Sequence, residues 1–430
     1  MPYPASLLVP EIEGLEASAT LAIHQRSAEL ASRGQRVYRI GFGQSPFPVP
    51  GRIVETLRRH AEEKAYLPVQ GLPALCRAVA EHHRREDGVA AEPEHVLVGP
   101  GSKELIFLLQ LVFRGEVLIP SPSWVSYAPQ ARILGREPRS VPTSFVEGWK
   151  VQPDRLAAAC AAGADGPRLL ILNSPNNPVG NSYTEEDLAA LAEVARRHDV
   201  LVLADEIYGR LHHTGDHVSM ARVYPEGTIL SAGLSKWCGA GGWRLGTFVF
   251  PPQLEALQQA MQAVASETFS AVSAPIQYAA VDAFRGGDDI ERYLVDSRRV
   301  LAALGSWCAR TLRQAGVRVH PAQGGFYLFP DFTPFAERLA GRGIRDSTTL
   351  CTRLLADTGV ATLPGLPFGR PPEELTARLC FVDFDGDQAL RESQSVPADE
   401  ALGEDFLEHC CDNVLRGVER LIDWLDSPAG

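Results

Sequence analysis

From about residue 50 to residue 288, short apolar and β-branched runs alternate with stretches of helical periodicity. The runs are His95–Gly99, Val117–Pro120, Leu169–Asn173, Val200–Asp205, Thr228–Ser231 and Gly246–Phe250. Helical patterns such as Ser102–Phe113 and Thr184–His198 lie between them. The second opens with Thr184 as an N-cap and Glu185, Glu186 and Asp187 in its first turn, where carboxylates meet the positive end of the helix. Such alternation predicts an α/β unit, a mainly parallel sheet covered by helices on both faces. After Ile290 the texture changes. A long amphipathic helix to about Gln314 leads to short strands near Val317–His320, Phe326–Phe329, Ala361–Leu363 and Arg378–Val382, and a last helix covers Asn413–Leu425. This predicts a large domain over residues 50–288, and a smaller α+β domain over 289–430 that the N-terminal segment 1–49 joins. The stretch Asp383–Glu408 holds nine acidic residues and one basic residue, Arg391, with little periodicity, and reads as a solvated loop.

Charge then narrows the partners. A formal net charge of -12 over 430 residues repels a phosphate backbone and an anionic membrane surface, so neither nucleic acid nor membrane is expected. A few local arginines can still hold a small anionic cofactor. The longest apolar stretch, Leu105–Phe113, is too short to span a bilayer, and Met1–Pro10 lacks the basic start and apolar run of a signal peptide. The eight cysteines have no metal-ligand spacing, and no metal is expected; only Cys410 and Cys411 are adjacent. They read as reduced thiols of a cytoplasmic protein.

Ligands of open parallel sheets sit beyond the carboxyl ends of the strands, so the residues just after each run carry most information. Asn173-Ser174-Pro175-Asn176-Asn177-Pro178-Val179-Gly180 follows one run, and Asp205-Glu206-Ile207-Tyr208 ends the next. Ser235-Lys236 follows Thr228–Ser231, with Gly242-Trp243-Arg244-Leu245-Gly246 just beyond. Each alone could be a turn or a helix cap. Earlier, Val98-Gly99-Pro100-Gly101-Ser102-Lys103 leaves a strand and opens a helix, which makes either a capped turn or a phosphate cradle of backbone N–H groups.

Taken in order, Asn177, Asp205, Tyr208, Lys236 and Arg244 resemble the class I/II aminotransferases of the fold-type I pyridoxal-phosphate family. The likeness runs from about Leu15 to Leu425, and Ser-Lys…Gly-Trp-Arg-x-Gly is its most specific part. It implies a seven-stranded, mainly parallel sheet, pyridoxal 5'-phosphate as cofactor, and a Schiff base on Lys236. In this reading Lys236 moves protons during the reaction, Asp205 faces the pyridine nitrogen, and Tyr208 and Asn177 bond the ring's phenolic oxygen. Gly101, Ser102, Lys103, Ser235 and Arg244 fall to the cofactor's phosphate side, and Trp124, in Pro120–Tyr127, would stack on the ring. Arg378 would grip the α-carboxylate of the substrate, with Gly43 letting the backbone approach it. Tyr66, in Tyr66–Gly71, and Ser270 match segments that reach a neighbouring subunit's phosphate site, which implies a homodimer.

The family commonly has acidic residues where this chain has Gln44 and Pro46, so the likeness does not specify the substrate side chain. The run Gly239–Gly242 is expected to loosen the loop after the lysine. Glu13, Ser18 and Thr20 are expected to line the pocket in a mobile lid, and His212 and His213 to lie at the surface. The leading function is transfer of an α-amino group from an L-amino acid to a 2-oxo acid by a ping-pong route. Two alternatives stay open. One is a lyase or synthase on the same scaffold, of the β/γ-elimination or aminocyclopropane-carboxylate synthase type. The other is a cofactor-binding regulator, against which stand the net charge and a family-like region that begins near Leu15.

Overall fold

The computed structural model describes residues 7, 9–13, 15, 19–163 and 165–427. Seven strands form the larger sheet: β1 Val96–Gly99, β2 Glu116–Ser121, β3 Arg139–Pro142, β4 Arg168–Asn173, β5 Val200–Asp205, β6 Thr228–Gly233 and β7 Gly246–Val249. Their spatial order is β1-β7-β6-β5-β4-β2-β3, and only β7 runs antiparallel to its neighbours. The apolar runs are continuous because the strands are covered on both faces: Leu169, Leu170 and Ile171 of β4 are all fully buried. The β3 strand was not among the predicted runs. Its sequence, Arg-Ser-Val-Pro, lies at the sheet edge, where only Val141 needs to be buried. Thr184 caps helix Glu185–Arg197 as the sequence predicts, and Asp187 completes a capping box.

A second, three-stranded antiparallel sheet has the order β8-β10-β9, from Tyr327–Leu328 (β8), Leu363–Pro364 (β9) and Ala377–Cys380 (β10). Helices Asp288–Gln314 and Glu404–Asp426 pack beside it through Leu304, Cys308, Val414 and Val418. The N-terminal chain joins here, since Tyr38 bridges to Val360 and the Cys380 N–H donates to Ile40 O at 2.7 Å. Val317–His320 is not a strand of this sheet. It makes only an isolated bridge from Arg318 to Asp331.

The acidic stretch is also more ordered than a solvated loop. Asp385 caps helix Gly386–Ser393 by accepting from the Asp387 and Gln388 N–H groups, both at 3.0 Å. Ala389, Leu390 and Ser393 are buried, and the last helix begins at Glu404 rather than Asn413. Between the helices the backbone is held by Arg299. Its guanidinium donates to the carbonyls of Ser393, Val396, Pro397 and Glu400 at 3.2, 3.3, 2.7 and 3.0 Å. The carboxylates from Asp385 onward thus lie on exposed faces and caps, half-buried Asp383 accepts from the Arg39 N–H at 2.8 Å, and one arginine gathers carbonyls between the helices.

All eight cysteines are buried free thiols. Among the described residues no helix is long and apolar enough to cross a membrane.

The Arg299 clamp can be tested directly. In Arg299→Met, amide hydrogen exchange across residues 394–403 should quicken by about tenfold or more, because bonds to a charged donor contribute about 1.5–3 kcal/mol. Exchange in β4 and β5 should not change. Equal protection of 394–403 in both proteins would refute the clamp.

Candidate active site

Strand register builds the centre of the site. Asn173, Asp205 and Ser231 are paired across β4, β5 and β6, so three polar side chains stand at one depth past an apolar sheet. Asp205 is 3% exposed, and its carboxylate accepts from Tyr127 Oη at 2.5 Å and from Ser231 Oγ at 3.5 Å. Burial pushes its pKa up to about 6, against the opposing hydrogen bonds from Tyr127, Ile207 and Ser231. Asn173 ties the neighbouring turn together: its Nδ2 donates to Asp205 O at 2.6 Å, and its Oδ1 accepts from the Asn177 N–H at 2.7 Å.

Lys236 follows β6 by three residues and is partly buried in the cleft. Its Nζ donates to Gly43 O at 2.6 Å and lies 5.5 Å from the centre of the Tyr208 ring. Burial, then the charge of Arg378, brings its pKa down to about 8. Tyr208 Oη and Tyr327 Oη share a hydrogen bond of 2.7 Å, and burial raises the pKa of both phenols. A Cβ at position 43 would lie 2.3 Å from Tyr327 Oη, so only glycine leaves room for the tyrosine here.

Arg378 enters from β10, in the second sheet, and is 2% exposed. One Nη donates to Asn177 Oδ1 at 3.0 Å and the other to Gly41 O at 2.9 Å, while Nε is buried with no partner among the described residues. The rings of Tyr327 and Phe368 lie 5.0 and 5.1 Å from the guanidinium carbon.

A third group gathers where β1 turns into helix Ser102–Val112. Arg244, in a left-handed conformation, donates to Gly241 O at 2.9 Å and Pro100 O at 3.3 Å. Gly101 has φ 88, and a Cβ there would lie 2.1 Å from Arg244 Nη2. The helix N-terminus and the guanidinium can therefore face one anion together. Lys103 Nζ lies 5.1 Å from the Trp124 ring centre, and burial followed by the Arg244 charge lowers its pKa. Trp124 meets Tyr127 edge-on at 5.3 Å.

Lys236, Asp205, Asn177, Tyr208, Arg378 and Gly43 are thus brought into one connected network, with Gly101, Ser102, Lys103, Arg244 and Trp124 forming another at the neighbouring strand end. Ser235 is half-buried beside Lys236. Tyr66 stands outside both, 96% exposed, and Ser270 is held in a turn with φ 60. Tyr127 and Tyr327 were missed by the sequence reading. Both lay in quoted or adjoining motifs, but a lone tyrosine in an apolar run gives no sign that its hydroxyl meets a partner.

One other expectation changes. His212 and His213 are half-buried, not at the surface: His212 bridges to Gly324, and His213 Nε2 meets Gly325 O at 3.0 Å. In the run Gly239–Gly242, a Cβ at Gly239 would lie 2.4 Å from Phe47 O, whereas one at Gly242 would meet nothing within 4 Å. Of the expected lid residues, Glu13 is exposed, while Ser18 and the side chain of Thr20 lie outside the described residues.

The family model for aminotransferase class I and II matches residues 37–389. The chain belongs to the class I and II aminotransferases. Relatives of this aminotransferase include the aspartate aminotransferase of Bacillus subtilis (strain 168), 32% identical over 374 residues, or 85% of this chain and 92% of the relative. The asparagine–oxo-acid transaminase of Streptococcus mutans is 32% identical over 83% of this chain and 91% of its own. Among solved structures, an aspartate aminotransferase from Thermus thermophilus with maleate superposes with a TM-score of 0.80 at 30% identity, covering 90% of this chain and 98% of that one.

Aminotransferases of this family depend on pyridoxal phosphate. The residues present fit that group. A helix N-terminus beside Arg244 offers an anion cradle that a Cβ at Gly101 would fill, a buried carboxylate offers a partner to a pyridinium, and Lys236 offers an amine.

The lowered pKa of Lys236 makes a signed prediction for this aminotransferase. Only the neutral amine is a nucleophile, so covalent capture of the cofactor by cofactor-free protein should quicken as pH rises. Its midpoint should fall near the lysine's own value of about 8. Stopped-flow absorbance across pH measures this; a midpoint near the ordinary lysine value of about 10.4 would contradict the assignment.

Proposed function

We propose that the protein transfers the α-amino group of an L-amino acid to a 2-oxo acid by a ping-pong route, with pyridoxal phosphate carried covalently on Lys236. The observation that carries this reading is a partly buried amine of lowered pKa, bonded among the described residues to the Gly43 carbonyl alone, within one network of Asp205, Asn177, Tyr208 and Arg378. When bound, the cofactor supplies an electron sink for the carbon that loses its proton. The rest of the work belongs to the chain.

Arg378 binds the substrate α-carboxylate in this reading, oriented by Asn177, Gly41 O and its two flanking rings. Lys236 Nζ would take the Cα proton and deliver it to the cofactor's C4′, which its lowered pKa favours near neutral pH. Asp205 would face the pyridine nitrogen and favour its protonated form. Tyr208 and Asn177 would hydrogen-bond the phenolic oxygen, and Trp124 would cover the ring. Gly101, Ser102, Lys103, Ser235 and Arg244 would hold the phosphate side. We also read the chain as a homodimer, because Tyr66 is almost wholly exposed beside no site of its own chain; it and Ser270 would reach the partner's phosphate. In the same reading residues 50–288 form the cofactor domain, and 1–49 with 289–430 the smaller one.

The names of the relatives make aspartate and asparagine the first donors to test. With one of a panel of L-amino acids, the yellow holoenzyme should bleach and release the matching 2-oxo acid, and a second oxo acid should restore the colour. Lys236→Ala should do neither. Ammonia released in place of restored colour would instead identify a lyase. In Tyr127→Phe, loss of the 2.5 Å bond should raise the Asp205 pKa further and lower kcat by about tenfold, or about 1–2 kcal/mol. An unchanged kcat and unchanged acid limb of the pH profile would remove Tyr127 from the mechanism.

A further inference from the structure

Behind the cleft, the loops that carry Asp205 and Lys236 rest on a second set of ionisable side chains. His82, His83 and Asp87 come from the last turn and cap of helix Pro73–Glu86. Glu206 and His217 face them from the chain after β5. All five line one cavity of about 20 Å³, room for a single water-sized body. No part of the transamination reading uses any of them.

The pattern of satisfied and unsatisfied nitrogens is unusual for a packed core. His83 Nδ1 meets Asp87 Oδ2 at 2.6 Å, and His217 Nε2 meets Glu206 Oε2 at 2.9 Å. The opposite nitrogen of each ring, His83 Nε2 and His217 Nδ1, is buried with no partner among the described residues. The same holds for His82 Nδ1. His82 and His83 are only 6% and 3% exposed. A buried polar atom left unpaired costs about 1–3 kcal/mol, so three around one cavity call for a common partner. Glu206 against His217 Nε2, with Nδ1 free, is also how metal-binding histidines are oriented.

We infer that this cavity is a site for one first-row divalent cation of the zinc class, bound by His82, His83 and Asp87. One donor atom from each of the three lies within 4.8 Å of the others. Ligands about 2.1 Å from a tetrahedral ion stand about 3.4 Å apart, so the three donors must close by up to about 1.4 Å to seat it. The ion exchanges the His83–Asp87 hydrogen bond for coordinate bonds, and His217 is the next donor on the facing wall. Two carboxylates, Asp87 and Glu206, offset its charge. Among the described residues, Arg210 is the one arginine or lysine that lines the cavity, and it is already paired with Glu86 and Glu291. Trp237, next to Lys236, and Ile207, two residues from Asp205, line the same cavity, so the ion would pin the helix to the loops of the active site.

The test uses tag-free, full-length holoenzyme, stripped with a chelator and titrated with Co²⁺ by calorimetry and visible absorption. The expected result is one Co²⁺ per chain, a visible band of a nitrogen–oxygen site, and a higher Tm with metal. Binding should weaken at least about tenfold in His82→Gln and in His83→Gln. The exposed His409→Gln should bind as the parent does. Two results overturn the site: no saturable uptake by the parent protein, or equal uptake by the parent and both cavity variants. The parent titration stands by itself if either variant fails to fold.

Discussion

An ionised Asp205 at the buried end of β5 is tolerable only because hydroxyls and a backbone N–H surround it, and the arrangement of the whole site follows from that requirement. Tyr127 comes from the chain after β2, Ser231 from β6, and Ile207 from the turn beyond β5 itself. Three strand ends must therefore arrive in register, which parallel pairing of β4, β5 and β6 ensures. A slip of one residue would turn Asp205 to the opposite face and leave Tyr127 without its acceptor.

The second sheet supplies what the first cannot. Arg378 crosses from β10 to Asn177, and Tyr327 crosses from β8 to Tyr208. Gly43, on the N-terminal segment, receives Lys236. The first two of these bonds are buried, in surroundings where such bonds are strong and unpaired groups are costly, and the Lys236 bond is partly buried. The glycine at 43 and the rings around Arg378 keep this seam narrow.

Much of this was legible beforehand, for reasons that also explain the omissions. Buried parallel strands must be apolar throughout, so β1, β2, β4, β5, β6 and β7 announced themselves. The edge strand β3 buries little and did not. Lys236, Asp205, Asn177, Tyr208, Arg244 and Arg378 were singled out by their order along the chain and the family resemblance it carries, since polar groups at strand ends are conspicuous against apolar runs. Tyr127 and Tyr327 were invisible because their rings satisfy the core pattern while only a hydroxyl does the polar work. The acidic stretch misled in the opposite direction: its charges suggested solvent, whereas Arg299 and a few small apolar residues give it shape. His82 and His83 carried no signal either, lying within a helical run whose period they do not disturb.

The burial of all eight thiols has a practical meaning of its own. Desolvation raises the pKa of Cys76 to about 11 and that of Cys351 to about 12, so neither thiol is poised to react in the native protein. Cys160 and Cys410 lie on helices Pro153–Ala161 and Glu404–Asp426, whereas Cys380 ends β10 and Cys308 lies in the same core on helix Asp288–Gln314. Modification by an alkylating reagent must then wait for the backbone to open. The order in which the cysteines are captured becomes a record of which parts of the molecule come apart first.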